Sequence, residues 1–300
     1  MRQIDLNAGS ITHLAFRPDG KTLGICFHGG FALLTVVEML AGLVNPRFTP
    51  SRDRVAEMAW HPSGRCFALA GAEGIVQIHT AEGYKSWELV GLPGQHGPMT
   101  AVAFSPDGLH LAMGGGWWDE PGHAVVVSDY YWYREAELTG HENQIGTVLF
   151  TGPNTIATGA ADRRVIFHDR ATSKHVADIP VNAHVHALAV TPDGERLAVA
   201  MGRRIEIWPL TKSGWYVEGP RIICRGHQQS VRSVAFSPDG HTLVSVGEDS
   251  GVRFWNAFTG AEQLSLEPGC GPGRAVAFSP DGLLVAVGGK EGKLILLDAE

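Results

Sequence analysis

Histidine is the residue type with the most chemical reach in this chain. Fourteen occur in 300 residues, and two stand one apart in His184-Val185-His186. On a strand, alternation puts both on one face, with side chains roughly 7 Å apart. Two imidazoles so placed are part of a transition-metal site, which needs a third ligand from elsewhere. The neighbouring sequence offers none, so these are read as hydrogen-bonded or solvated imidazoles, and no metal is expected. A second group is Trp117-Trp118-Asp119-Glu120. Asp119 and Glu120, with His184 and His186, would supply an acid–base pair for a hydrolase or lyase if the fold brought them within hydrogen-bond reach. The two indoles would alternatively stack on a small ligand or glycan. A third group is two arginine pairs, Arg163-Arg164 and Arg203-Arg204, whose guanidinium forks suit carboxylates.

No enzyme motif accompanies these residues. Gly114-Gly115-Gly116 follows a strand-like run but lacks the GxGxxG spacing and the helix of a dinucleotide loop. A P-loop, a GxSxG elbow and an HExxH pair are all missing, and no cofactor is expected. Cys26, Cys66, Cys224 and Cys270 make no CxxC pair and read as free thiols of a reducing cytosol. Lys and Arg number 24 against 31 Asp and Glu, a formal charge of −7, without the basic footprint of a general nucleic-acid binder. Apolar stretches stay below the ~18 residues of a transmembrane helix, and Met1–Leu6 lacks a signal peptide's apolar run. A monomer in the cytoplasm, away from membranes, is the expectation.

The elements that position these residues are written in a repeat. A pentapeptide ending in Pro, Asp or Ser, and Gly recurs as FRPDG at 16–20, WHPSG at 60–64, FSPDG at 104–108, VTPDG at 190–194, and FSPDG at 236–240 and 278–282. A degenerate copy, FTGPN, stands at 150–154. The seven anchors are 44, 44, 46, 40, 46 and 42 residues apart. Pro presets φ for a turn, Asp accepts from local amides, and Gly supplies the open φ that follows. Strand-spaced apolar residues precede each turn, such as Val231, Val234 and Phe236, and a β-rich run such as Leu243–Val246 follows it. Four short strands per ~44 residues, seven times over, is the pattern of a propeller blade. Helical repeats share this period but need an i, i+3, i+4, i+7 stripe, which is missing here.

The chain resembles the WD-repeat β-propellers over essentially its whole length. In that family a His, a Ser or Thr, an Asp and a Trp hydrogen-bond to one another within a blade. His227, Ser245, Asp249 and Trp255 match all four positions; His141, Thr158 and Asp162 match three, with His168 where Trp is expected. Other blades depart further: blade one has Ile25, Gly29 and Thr35, and blade seven has Val287, Glu291 and Leu297. The resemblance implies an all-β fold of seven blades, each of four antiparallel strands, as one domain over 1–300. The chain ends on a third strand, Lys293–Asp298, so Arg2–Leu6 is expected to complete the last blade and remove an open edge.

The resemblance also implies a non-enzymatic protein- or peptide-interaction scaffold. Its binding face is expected to carry the turns between second and third strands. There blade three has five extra residues, counted from Leu111 to Ser128 against Leu243 to Trp255. They contain Trp117, Trp118, Asp119 and Glu120, and the arginine pairs occupy the equivalent turns of blades four and five. One Trp either folds back as a lid or, with His184 and the arginines, meets a partner, expected to be acidic with an aromatic or apolar anchor. Tyr130-Tyr131-Trp132-Tyr133 is read as packing on the outer rim or opposite face.

Overall fold

Each pentapeptide closes the first hairpin of a four-stranded antiparallel sheet, and there are seven such sheets. The computed structural model describes residues 1–299 apart from 7, 44–47, 52–53, 83, 91–96 and 217–218. The innermost strands, blade one to blade seven, are Ile11–Phe16, Val55–Trp60, Met99–Phe104, Ile145–Phe150, Val185–Val190, Val231–Phe236 and Gly273–Phe278. Each packs on its neighbour's innermost strand, and the seventh packs on the first. The result is a closed seven-bladed propeller around a central channel.

The turn chemistry follows the residues. In blade three Asp107 accepts from the amide of Leu109 at 2.9 Å, and the Ser105 hydroxyl oxygen accepts from the amide of His110 at 3.0 Å. Gly108 has φ +73, and a Cβ there would lie 2.5 Å from Nε2 of His61 in blade two. Only glycine satisfies both the dihedral and the close approach. The core lies between blades. Ala157 and Phe167 of blade four pack with Leu197, Val199 and Trp208 of blade five in one buried cluster. Second strands such as Thr155–Ala160 are buried along their length because a neighbour covers each face, whereas the outer strand Glu262–Leu266 stays largely exposed.

The ring closes as expected. Arg2, Gln3, Ile4 and Asp5 pair with Leu296, Ile295, Leu294 and Lys293, and Leu6 is buried against blades one and seven. Three features differ from the sequence reading. A short helix, Val36–Ala41, follows the third strand of blade one. It starts at the capping box of Thr35 and Glu38, a signal masked by the strand-like residues on either side. Leu23 pairs with Leu34, so Leu34, not Thr35, takes the Trp position of that blade. Leu111 pairs with Val127 while Leu243 pairs with Trp255, which makes the blade-three insertion four residues rather than five.

Candidate binding face

The blade-three insertion is braced, not loose. The side-chain amide of Gln144 donates to the carbonyl of Gly116 at 2.7 Å. Asp119, at φ +66, donates its amide to Oδ1 of Asn143, and Asn143 Nδ2 donates back to Asp119 Oδ1, both at 3.3 Å. A Cβ on Gly122 would lie 2.4 Å from the carbonyl oxygen of Asn143. These contacts hold the loop on the segment that leads into blade four. Trp117 and Trp118 remain 51% and 55% exposed, so neither is folded in as a lid. Trp118 reaches past blade four to the imidazole of His184, at the start of blade five, with ring centroids 5.2 Å apart and edge to face.

The arginine pairs divide. Arg164 donates to Asp178 from Nε at 3.0 Å and from Nη1 to the carbonyl of Gly140 at 3.0 Å. Arg204 lies 2.9 Å from Glu206, a carboxylate only 2% exposed that Arg221 also meets at 3.2 Å. Both therefore serve outer-strand packing. Arg163, at φ +67, and Arg203 stay exposed at the turn tips. Arg203 borders a shallow cleft of about 370 Å³ beside His227.

Three of the four acid–base candidates are engaged separately. Asp119 holds Asn143, His184 meets Trp118, and His186 lies 3.3 Å from the guanidinium of Arg232. No hydrogen bond joins the four to one another among the described residues, which also contain no cluster of three His, Cys, Asp or Glu arranged to hold a metal ion.

The blade networks are built as the family pattern requires. In blade six His227 Nδ1 lies 2.9 Å from Asp249 and Nε2 lies 2.8 Å from the Ser245 hydroxyl. The indole N–H of Trp255 donates to that hydroxyl at 2.8 Å. The proton order follows from these partners: Asp249 only accepts, so Nδ1 carries the hydrogen and Nε2 accepts from serine. Burial holds His227 below its usual range, and the Asp249 charge opposes this. In blade four His141 meets Asp162 at 2.9 Å and Thr158 at 2.8 Å, and His168 Nε2 takes the indole's place 3.1 Å from Thr158. Its Nδ1 is left buried without a partner, and burial pulls this imidazole down to about 3.

The WD domain, G-beta repeat pattern matches residues 219–256, the span that contains the complete network. This span is similar to the WD repeats, and the fold around it is a seven-bladed propeller. The chain is 30% identical over 192 residues to a WD repeat-containing protein of Synechocystis, covering 64% of this chain and 41% of that one. It is 29% identical over 160 residues to the human serine-threonine kinase receptor-associated protein, covering 53% and 44%. A U3 small nucleolar RNA-associated protein 15 homolog of Xenopus tropicalis is 23% identical over 252 residues, covering 82% and 46%. The chain spans less than half the length of these relatives.

The propeller has a second feature on this face that the sequence reading missed. The channel mouth opens into a cavity of about 640 Å³ bordered by Arg54, Arg232, Arg274 and Lys290 together with His28 and His186. Glu248 lies 2.6 Å from Arg232 and 3.6 Å from Arg274. The local field shows in the titrating groups: burial together with Arg232 lowers His186 to about 4, burial with Arg54 and Arg274 lowers His28, and the Arg232 hydrogen bond holds Glu248 low. Aligning the repeats on their turn anchors puts His186, Arg232 and Arg274 at one position, each four residues before the anchor. That stacking was the available signal.

The aromatic run after blade three lies toward the outside of the ring. Trp132 packs on a core cluster, while Tyr130 and Tyr131 project beside Trp87 around a cavity of about 600 Å³ between blades two and three.

Proposed function

We propose that this propeller is a non-enzymatic binding platform that holds a protein or peptide on the face bearing the second-to-third strand turns. The observation that carries the reading is the braced blade-three insertion. It offers two half-exposed indoles on a backbone fixed by Asn143 and Gln144. Large, rigid aromatic side chains with few rotors to freeze are what binding surfaces use as anchors. Arg163 and Arg203 flank this ridge from the next two turns and suit a partner with carboxylates near an aromatic or apolar anchor. The separate engagement of Asp119, His184 and His186 favours binding over acid–base chemistry.

Selection of a displayed random-peptide library against the propeller tests this reading. Acidic peptides with one aromatic residue are the expected enrichment, and the Trp117→Ala, Trp118→Ala double variant should lose at least ~2 kcal/mol of their affinity, the hot-spot scale. Peptides retained by that variant but lost on Tyr130→Ala and Tyr131→Ala would move the site to the outer rim and overturn the proposal.

A further inference from the structure

The cationic channel mouth calls for a ligand of its own, distinct from a partner on the tryptophan ridge. Four permanent cations, Arg54, Arg232, Arg274 and Lys290, line a single concavity, and one carboxylate outside that lining, Glu248, pairs with Arg232 and lies 3.6 Å from Arg274. The surplus is three positive charges in a chain whose formal charge is −7. Glu73 and Glu291 lie on turns of the same face but do not line the cavity. Glu291 instead lies 2.8 Å from the ammonium of Lys293. Like charges gathered in a low-dielectric concavity repel one another, and an anion that enters removes this cost and meets a focused field.

The walls are unlike one another. Blades five to seven supply His186, Arg232, Arg274 and Lys290, whereas blades two and three supply Arg54 and the half-buried Pro98, with the side chains of Val55 and Met99 buried in the core at 2% and 5% exposure. A ligand that fits has a strongly anionic end and a body long enough to reach Pro98 on the far side. The volume of about 640 Å³ lies within the range of small-molecule sites, roughly 300–1,000 Å³, and is far larger than one bare oxyanion needs. A lone carboxylate would neutralise one of the three surplus charges; a phosphate monoester brings about two, and a diphosphate more. Glu248 already holds the Nε and Nη2 edge of Arg232, at 3.1 and 2.6 Å, and lies 3.6 Å from Arg274, so both guanidiniums are fixed at the cavity before any ligand arrives. Pre-orientation of this kind reduces the ordering cost of binding.

We propose that the channel mouth binds a phosphorylated small molecule of nucleotide size, with its phosphates beside Arg232, Arg274 and Lys290 and its body reaching toward Pro98.

Thermal unfolding and titration calorimetry with ADP, inorganic pyrophosphate, citrate and sulfate at matched ionic strength test this. ADP should raise the melting temperature saturably and bind more tightly than pyrophosphate, because its nucleoside also fills the rest of the cavity; sulfate should give only a weak, unsaturated response. Lys290→Gln and Arg274→Gln should each weaken ADP binding by at least tenfold, while Trp118→Ala should leave it unchanged. Lys290 is exposed and outside the Arg232–Glu248 pairing, so its variant reads the site even where Arg274→Gln impairs folding. Equal responses to ADP and sulfate, citrate binding as tightly as ADP, or ADP affinity that survives both variants would each overturn the proposal.

Discussion

The carboxylate of Asp249 accepts from three N–H groups: the His227 ring, the amide of Gln228 at 2.7 Å and the amide of Gly251 at 3.2 Å. No hydroxyl or thiol does this, because the acceptors must face a ring on one side and a turn on the other. Asp249→Ala would leave a buried imidazole N–H and two turn amides unanswered. The expected cost is on the order of 1–3 kcal/mol in urea unfolding. Glu291 holds the same position in blade seven, but its carboxylate is 54% exposed and meets Lys293. Glu291→Ala should cost no more than about 0.5 kcal/mol, as expected for a surface pair. Equal losses in the two variants would show that the blade network does not set stability here. Blade six was legible in the sequence because all four network residues are present at family spacing. Blade four was legible in part: His141, Thr158 and Asp162 announce the network and His168 stands at the Trp position, but its bond to Thr158 and its unmatched Nδ1 emerge only in the fold.

At the scale of elements, inner strands are stitched to one another as well as packed. The third residue of an inner strand accepts from an amide of the next blade: His13 from Met58 at 3.3 Å, Glu57 from Val102 at 3.0 Å, and Ser233 from Val276 at 3.3 Å. The N-terminal strand is the other tie. It pairs four residues with Lys293–Leu296 and brings Leu6 into the core. Burial of that leucine alone is worth ~2 kcal/mol. Deleting residues 1–6 should therefore lower the melting temperature by several degrees, at about 2–4 °C per kcal/mol, and the bare Lys293–Asp298 edge should promote association. Size-exclusion chromatography and a thermal scan check both, and an unchanged, monodisperse truncated chain would contradict the closure. Turns and strands were legible because Pro-Asp-Gly dictates backbone geometry locally. The cationic mouth was legible only through the shared repeat position of Arg232 and Arg274; Arg54 and Lys290 join them only when distant segments close into a ring.

Over the whole molecule, buried titrating groups set opposite slopes of stability against pH. His13 is lowered by burial to about 4, His168 to about 3 and His186 to about 4. Below pH 6.5 the unfolded chain binds protons that the folded chain refuses, so stability falls as pH drops from 6.5 toward 4. Glu57 works in the other direction. Burial raises it to about 8, against the Val102 amide that favours its charged form and the 22% of its side chain that stays exposed. Between pH 4.5 and 8 the folded chain keeps a proton that the unfolded chain has lost, so this contribution declines as pH rises. Glu57→Gln retains an acceptor for Val102 and removes the titration. Its stability relative to the parent should improve by at least ~1 kcal/mol between pH 5 and pH 8.5, since each tenfold difference in proton affinity between folded and unfolded chains is worth about 1.4 kcal/mol. A difference that stays constant with pH would mean that Glu57 ionises normally in the fold.

The pairing of Arg2–Asp5 with Lys293–Asp298 also imposes a schedule on biosynthesis. The first strand of the ring leaves the ribosome long before its partner, which belongs to the last blade. At about 5–20 residues per second, that wait is on the order of 15–60 s. Through it, six blades have time to form in order while the seventh stays open at one side and blade one lacks its neighbour. Nascent chains thus pass through an unclosed arc with sticky flanks, and a ribosome-bound holding factor that covers the leading strand would raise the yield of finished rings without touching the finished product.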